Sequence, residues 1–265
     1  MNYPQRIVCL AAEAPEILAE LGAFDRIVGV SGFARRPAQV RTLPKVGGFA
    51  TPDMDRVLAL DPELVIAISD IQADAVAALV RAGVPVVALA AHRLAHVWSN
   101  ILMLGGLLGL QPEAQALVRR LQAALEALAH DQPDAPVRVY FEEWPDPPIS
   151  GIGWVGDLIA LAGGEDIFAD RADRRLARDR IVTFDEIVAR RPDLIIASWC
   201  GKRADLAAIR ERPGWASLPA LQRNAVYELP SDLILQTGPS LIEGAKRLAA
   251  LVQQAGQARV QEKPA

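Results

Sequence analysis

Asp53-Met-Asp-Arg-Val-Leu-Ala-Leu-Asp-Pro-Glu-Leu-Val-Ile-Ala67 returns 130 residues later as Thr183-Phe-Asp-Glu-Ile-Val-Ala-Arg-Arg-Pro-Asp-Leu-Ile-Ile-Ala197. Asp55 falls on Asp185, Ala59 on Ala189, Pro62 on Pro192, Leu64 on Leu194 and Ile66 on Ile196. A segment repeated once, at half the chain length, indicates two similar lobes, because solenoids repeat every ~20–50 residues. Two lobes imply a cleft, and clefts between domains are where ligands sit.

Each copy carries its own mechanics. Val57, Leu58 and Leu60 give the first half an apolar stripe behind acidic residues, the pattern of a short helix. In the second copy Thr183 and Glu186 have capping-box spacing. Pro62 and Pro192 are expected to stop the helix, since the ring clashes with the preceding turn. The apolar runs that follow, from Leu64 and from Leu194, show no alternation and suit parallel strands buried on both faces.

The duplication extends outward. Apolar strands at residues 6–10 and 137–141 each lead into a helix ending at a glycine, Gly22 or Gly163, where a left-handed residue is expected. After each core strand come a further helix and strand, at 73–81 and 84–89, then at 204–211 and 225–229. The fold class is therefore α/β: two similar lobes, each a short parallel sheet flanked by helices. Leu117, Leu121, Leu125 and Leu128 stripe one long helical stretch between them, read as a backbone helix joining the lobes and limiting them to a small rocking motion. The expected division is residues 1–110, a linking helix at 111–131, and residues 132–265, with a polar, frayed tail from Gln253.

Composition narrows the function. Hydrophobic residues at 51% and charged residues at 23% fit a soluble α/β protein, and a net charge of −4 without a basic cluster argues against nucleic acid. Two cysteines make no disulfide framework. Residues 1–5 lead straight into the first strand without a basic, apolar leader, so the chain as written is expected in the cytoplasm; a start further upstream would make it periplasmic. No nucleophile elbow, phosphate loop or Ser/His/Asp set is visible, and the adjacent Glu142 and Glu143 point different ways on a strand, so no enzymatic activity is expected.

The first lobe's Arg6-Ile-Val-Cys-Leu10, Glu16-Ile-Leu-Ala-Glu-Leu-Gly22, Leu43-Pro-Lys-Val-Gly-Gly48 and the 53–67 segment resemble the helical-backbone substrate-binding proteins of ABC importers for cobalamin, haem and ferric siderophores. Asp146-Pro-Pro-Ile-Ser-Gly151, followed by Leu158-Ile-Ala-Leu-Ala-Gly-Gly-Glu-Asp-Ile-Phe168, is similar to the cobalamin-binding branch. The resemblance implies a corrinoid (cobalamin) as ligand with no further cofactor, a monomer, and an ABC permease dimer as partner. It also implies that Phe33 and Phe49 contact the ring, that Asp232 is a polar contact, and that Asp55 and Asp185 each offer an acid to permease arginines. On electrostatics alone, those two aspartates are equally at home in a helix's first turn.

A corrinoid is broad, flat and amphipathic, so its site needs aromatic faces and a few polar groups. Trp144, Trp154 and Trp199 lie in or beside loops after second-lobe strands, the end where open α/β sheets bind ligands. Cys200 follows Trp199 in the unusual Ser198-Trp-Cys-Gly-Lys202. Trp199 stands where the first lobe has Ser69, and Trp98 and Trp215 read as structural. No metal site is expected: His92 and His96 are four apart, but a third ligand is missing, leaving His92 as a weak cobalt candidate. His130 complements the end of the long helix. If the chain stays in the cytoplasm, it is expected to buffer or hand over the corrinoid. Two alternatives stand beside that ligand: haem or a ferric siderophore, with Arg35, Arg36, Lys202 and Arg203 as candidate cations, and a cytoplasmic enzyme or sensor acting on a corrinoid or another tetrapyrrole.

Overall fold

The computed structural model of the chain describes residues 3–68, 70–129 and 135–261. Ser69 and His130, to which the sequence reading gave a place, lie outside the described residues. The chain divides into two compact units. The first comprises Met1–Ala91, Ala95–Leu121 and Gln236–Pro239; the second comprises His92–Leu94, Gln122–Leu235 and Ser240–Ala265.

The first unit is built on β1 (Ile7–Cys9), β2 (Ile27–Val30), β3 (Leu64–Ile68) and β4 (Val86–Leu89), in the order β2-β1-β3-β4 with every pair parallel. Its helices are α1 (Ala14–Glu20), α2 (Met54–Ala59), α3 (Ala73–Arg81) and α4 (Leu94–Leu108), with α5 (Gln111–Glu126) spanning the unit boundary. Val8, Leu10, Val46, Val57, Val65 and Leu79 form a buried cluster against one sheet face. The helical apolar pattern around Trp98 is α4, but the sequence gives it no clear bounds because its apolar residues run nearly all round, with Leu102, Met103 and Leu107 exposed, which blurs the helical period.

The second unit contains β5 (Val137–Pro145), β6 (Pro148–Ser150), β7 (Gly164–Asp166), β8 (Leu194–Ala197) and β9 (Val226–Glu228). Its helices are α6 (Gly153–Leu161), α7 (Phe184–Arg190), α8 (Leu206–Arg210), α9 (Pro219–Gln222), α10 (Ser231–Ile234) and α11 (Leu241–Gln261). Parallel pairings give β7-β5-β8-β9, the same sequence of strands as in the first unit. The departure is β5, whose nine residues outrun its neighbours: one edge meets β8, while the other is shared by β7 at its start and antiparallel β6 at its end. Of the tail expected to fray from Gln253, the described residues 253–261 are instead about the last two and a half turns of α11, with Ala255 buried and Arg259 donating to the Pro136 carbonyl at 2.7 Å.

The duplication is visible in hydrogen bonds as well as letters. Asp53 caps α2 by accepting from the Arg56 amide at 3.1 Å. Thr183 and Glu186 complete the expected capping box, at 3.1 and 2.8 Å. The amides of Glu63 and Asp193 donate to the Arg6 and Arg138 carbonyls at 2.8 and 2.7 Å, and the Glu63 and Asp193 carboxylates accept from the amides of Arg6 and Arg138. Each copy thereby pins the repeated strand beside the first strand of its own unit. The prolines act differently from expectation. Both helices end before them, and the residue immediately preceding each proline, Asp61 or Arg191, turns the chain in the left-handed region at φ 46° or 43°. A residue before proline is disfavoured in the right-handed helical region, which is why the turn falls there. Gly22 and Gly163 also take the expected left-handed conformation, at φ 76° and 78°.

Candidate ligand-binding site

In the second unit Glu142 of β5 pairs with Ala197, the last residue of β8, and the overlong strand carries Glu143 and Trp144 past that end, at the edge where an open parallel sheet presents its loops. Alternation sends the two glutamates to opposite faces. The Glu142 side chain has no exposed surface, yet its carboxylate is fully partnered. Arg212 donates to both oxygens, at 2.5 and 2.9 Å, Trp199 Nε1 donates at 3.0 Å and the Tyr140 hydroxyl at 3.1 Å. Burial, and then the Glu142 charge, hold the Tyr140 hydroxyl well above the usual phenol range, so it remains a donor. On the other face Arg180 donates to both oxygens of Glu143, at 2.6 and 3.2 Å.

This network fixes the aromatic residues. Trp199, 7% exposed, is held through its indole N–H, leaving a ring face toward Lys202. Trp144 donates its indole N–H to the Asp146 carbonyl within the β5–β6 turn at 3.0 Å and is half-buried. The Lys202 ammonium sits over both rings, 4.1 Å from the Trp144 centroid and 5.1 Å from that of Trp199. Between Trp199 and Lys202 in sequence, Cys200 is exposed, but its thiol is held above the ordinary range by local desolvation and the nearby Glu143 carboxylate, which disfavours a metal-binding thiolate.

Trp154 belongs to a different arrangement. It occupies the first turn of α6, not a loop, is 6% exposed, and spends its indole N–H on the Ile234 carbonyl at 2.9 Å. It anchors α10, which carries the half-buried Asp232 in its first turn. Gly153 is required just before it. A Cβ there would stand 2.3 Å from the His92 carbonyl oxygen and 2.4 Å from that of Ala172. Trp215 is fully buried, edge-on to Tyr140 and Phe184, the structural role its position after Gly214 suggests.

In the first unit Phe33 and Phe49 do come together, edge to face with centroids 6.3 Å apart, and Phe33 is 39% exposed. Their loops follow β2 and the Gly47-Gly48 turn. Gln72, which sequence reasoning passed over, positions one of them. Its buried side chain donates to the carbonyls of Phe49 at 2.8 Å and Leu10 at 3.3 Å, and accepts from the Ile68 amide at 2.9 Å. One amide thus ties the ends of β1 and β3 to the Phe49 loop. Nothing in the local pattern Asp70-Ile-Gln72 marks that role.

Asp55 and Asp185 occupy equivalent exposed positions in the first turns of α2 and α7. His92 lies in the bend before α4 while His96 lies within the helix, so the pair does not share a helical face. Among the described residues no group of three or more His, Cys, Asp or Glu side chains is placed to hold a metal ion.

Two α/β units, each offering aromatic side chains beside the C-terminal ends of its parallel strands, define a ligand-binding protein. The chain belongs to the periplasmic binding protein family, whose profile matches residues 7–233. It is 29% identical, over 93% of this chain and 79% of the relative, to an uncharacterised ABC transporter substrate-binding lipoprotein of Bacillus subtilis. It is 28% identical to a vitamin B12-binding protein of Vibrio campbellii, over 87% of this chain and 82% of that one. Among solved structures, the periplasmic vitamin B12-binding protein of Vibrio cholerae shares the fold at a TM-score of 0.76 and 24% identity, covering 98% and 99% of the two chains. A periplasmic haem-binding protein from Roseiflexus shares it equally well, with a TM-score of 0.78 and 23% identity over 95% and 98%. The cytoplasmic expectation gains no support from relatives named as lipoprotein or periplasmic. No helix among the described residues is long and apolar enough to cross a membrane.

Proposed function

We propose that the chain binds a corrinoid without transforming it and delivers it, outside the cytoplasm, to an ABC importer. The observation that carries this reading is the pair of aromatic surfaces, Phe33 with Phe49 in one unit and, in the other, Trp144 on the overhanging end of β5 with Trp199 just after β8. Flat, amphipathic ligands are held by such ring faces. Relatives at 28% identity named as vitamin B12-binding proteins favour the corrinoid. The second reading, haem, is favoured by the equal structural likeness to haem-binding proteins.

Spectral titration with cyanocobalamin, haem and a ferric siderophore separates the readings. Saturable binding of cyanocobalamin in preference to the others is expected. Trp144→Ala should weaken it about tenfold, or about 1.4 kcal/mol, by removing an aromatic anchor. A protein that takes up haem and ignores cyanocobalamin would replace the first reading with the second.

Asp55 and Asp185 are proposed as the permease contacts, one from each copy of the repeat. Reversing both, as Asp55→Lys with Asp185→Lys, should abolish measurable binding to the reconstituted cognate permease at low salt and leave ligand affinity unchanged. Exposed ion pairs are screened, so the wild-type interaction should itself weaken as salt rises. Unaltered permease binding by the double variant rules the proposal out.

A further inference from the structure

We infer that Lys202 reads a negatively charged substituent of the ligand, an oxyanion borne on a flat conjugated body; the inference deepens the binding function proposed above. The two carboxylates nearest in the strand, Glu142 and Glu143, are each doubly bonded to an arginine, Arg212 and Arg180. They leave nothing over to neutralise a further cation. Lys202 makes no ion pair with any described residue, and its ammonium is held only by the faces of Trp144 and Trp199. An exposed cation–π contact is weak and exchangeable, so the charge is poised without being satisfied.

That combination suits one kind of ligand. A planar apolar body laid over these indoles removes water from the ammonium beside them. If the body is neutral, Lys202 is left desolvated and unpaired, which opposes binding. If it carries a phosphate or carboxylate oxygen at its rim, the same ammonium gains a charge-assisted hydrogen bond. Lys202 therefore selects as well as attracts. It stands in the loop after β8, in the turn that the Gly201 amide ties to the Ser231 hydroxyl at 3.3 Å, so the cation is placed by a defined backbone. Its compact ammonium on a flexible stem can swing from ring face to oxyanion.

Two sources supply this chemistry: the phosphodiester of a corrinoid's nucleotide loop and the carboxylates at the edge of haem. Wild type, Lys202→Gln and Lys202→Arg are titrated with cyanocobalamin, with dicyanocobinamide, which has the same ring without the phosphodiester nucleotide, and with haem. Lys202→Gln is expected to weaken cyanocobalamin about tenfold and shift dicyanocobinamide by less than about twofold, with most of the loss restored in Lys202→Arg. The slope of affinity against salt should flatten in the glutamine variant alone. A loss confined to haem assigns the oxyanion to a carboxylate and supports the same role. Equal affinities in wild type and Lys202→Gln, or an equal loss for dicyanocobinamide, overturn the inference while leaving the binding function standing. A wild-type protein that binds none of the three overturns both.

Discussion

Exchanging Arg212 for methionine is expected to lower the stability of the second unit by about 3–5 kcal/mol at neutral pH, the range for removing one partner of a buried ion pair. The Glu142 side chain has no exposed surface and that of Arg212 only 10%. The guanidinium lies over the rings of Phe184 and Trp215, 4.9 and 4.6 Å from their centroids. Methionine keeps much of that apolar contact and removes the charge, so the loss reports on the stranded carboxylate. Four of the five tryptophans lie in this unit, and urea denaturation followed by their fluorescence reads it directly. Adding Glu142→Gln to the methionine variant should restore most of the stability, since no buried charge is then left unpaired. A single variant as stable as wild type would refute the central place given to this pair. Ligand affinity should fall along with stability, because Trp199 is held by the same carboxylate.

Asp166→Asn is expected to stabilise the second unit at pH 7 and to change nothing at pH 4. Burial, offset by a hydrogen bond from the Phe168 amide, pushes the Asp166 carboxyl up to about 6. A carboxyl that binds its proton more tightly when folded favours the folded state in acid. That advantage is complete below about pH 4 and is lost as pH rises to about 6. The span corresponds to roughly 3 kcal/mol. Asparagine keeps an oxygen for the Phe168 amide and cannot ionise, so the gap between variant and wild type should open across this window. A constant gap from pH 4 to 7 would contradict it.

What could be read from the letters alone was whatever neighbouring residues encode. The helix–strand repeat, the Thr183–Glu186 box and the left-handed Gly22 and Gly163 are local signatures, and the α/β class follows from them. The left-handed turns at Asp61 and Arg191 were hidden because neither is glycine. The β6 arm was hidden because Asp146-Pro-Pro reads as an interruption, and only the surplus length of β5 gives it an edge to pair with. The polar last turns of α11 are held by distant partners, Arg259 to Pro136 and Asp193, that no helical pattern foretells. At the site, tryptophans after strand ends were conspicuous. What sets their ring faces was not, since Glu142 and Arg212 are 70 residues apart. Trp154 shows the converse, a residue in the right neighbourhood whose indole N–H serves the scaffold.

The four residues Gln236–Pro239 belong to the first unit although the chain on either side of them belongs to the second. Thr237 donates to the buried Glu13 carboxyl at 3.2 Å, and Gly238 lies so close that a Cβ would stand 2.7 Å from Glu16 Oε2. Burial holds Glu13 above the usual carboxyl range, so this partner matters to a group that is already costly to enclose. On the ribosome, Thr237 is added long after Leu89, the last residue of the first unit's sheet. The sheet β2-β1-β3-β4 can therefore be translated long before the residues that complete its unit exist, and a nascent chain or fragment ending at residue 121 lacks them. The order in which this protein is made is not the order in which its parts are finished.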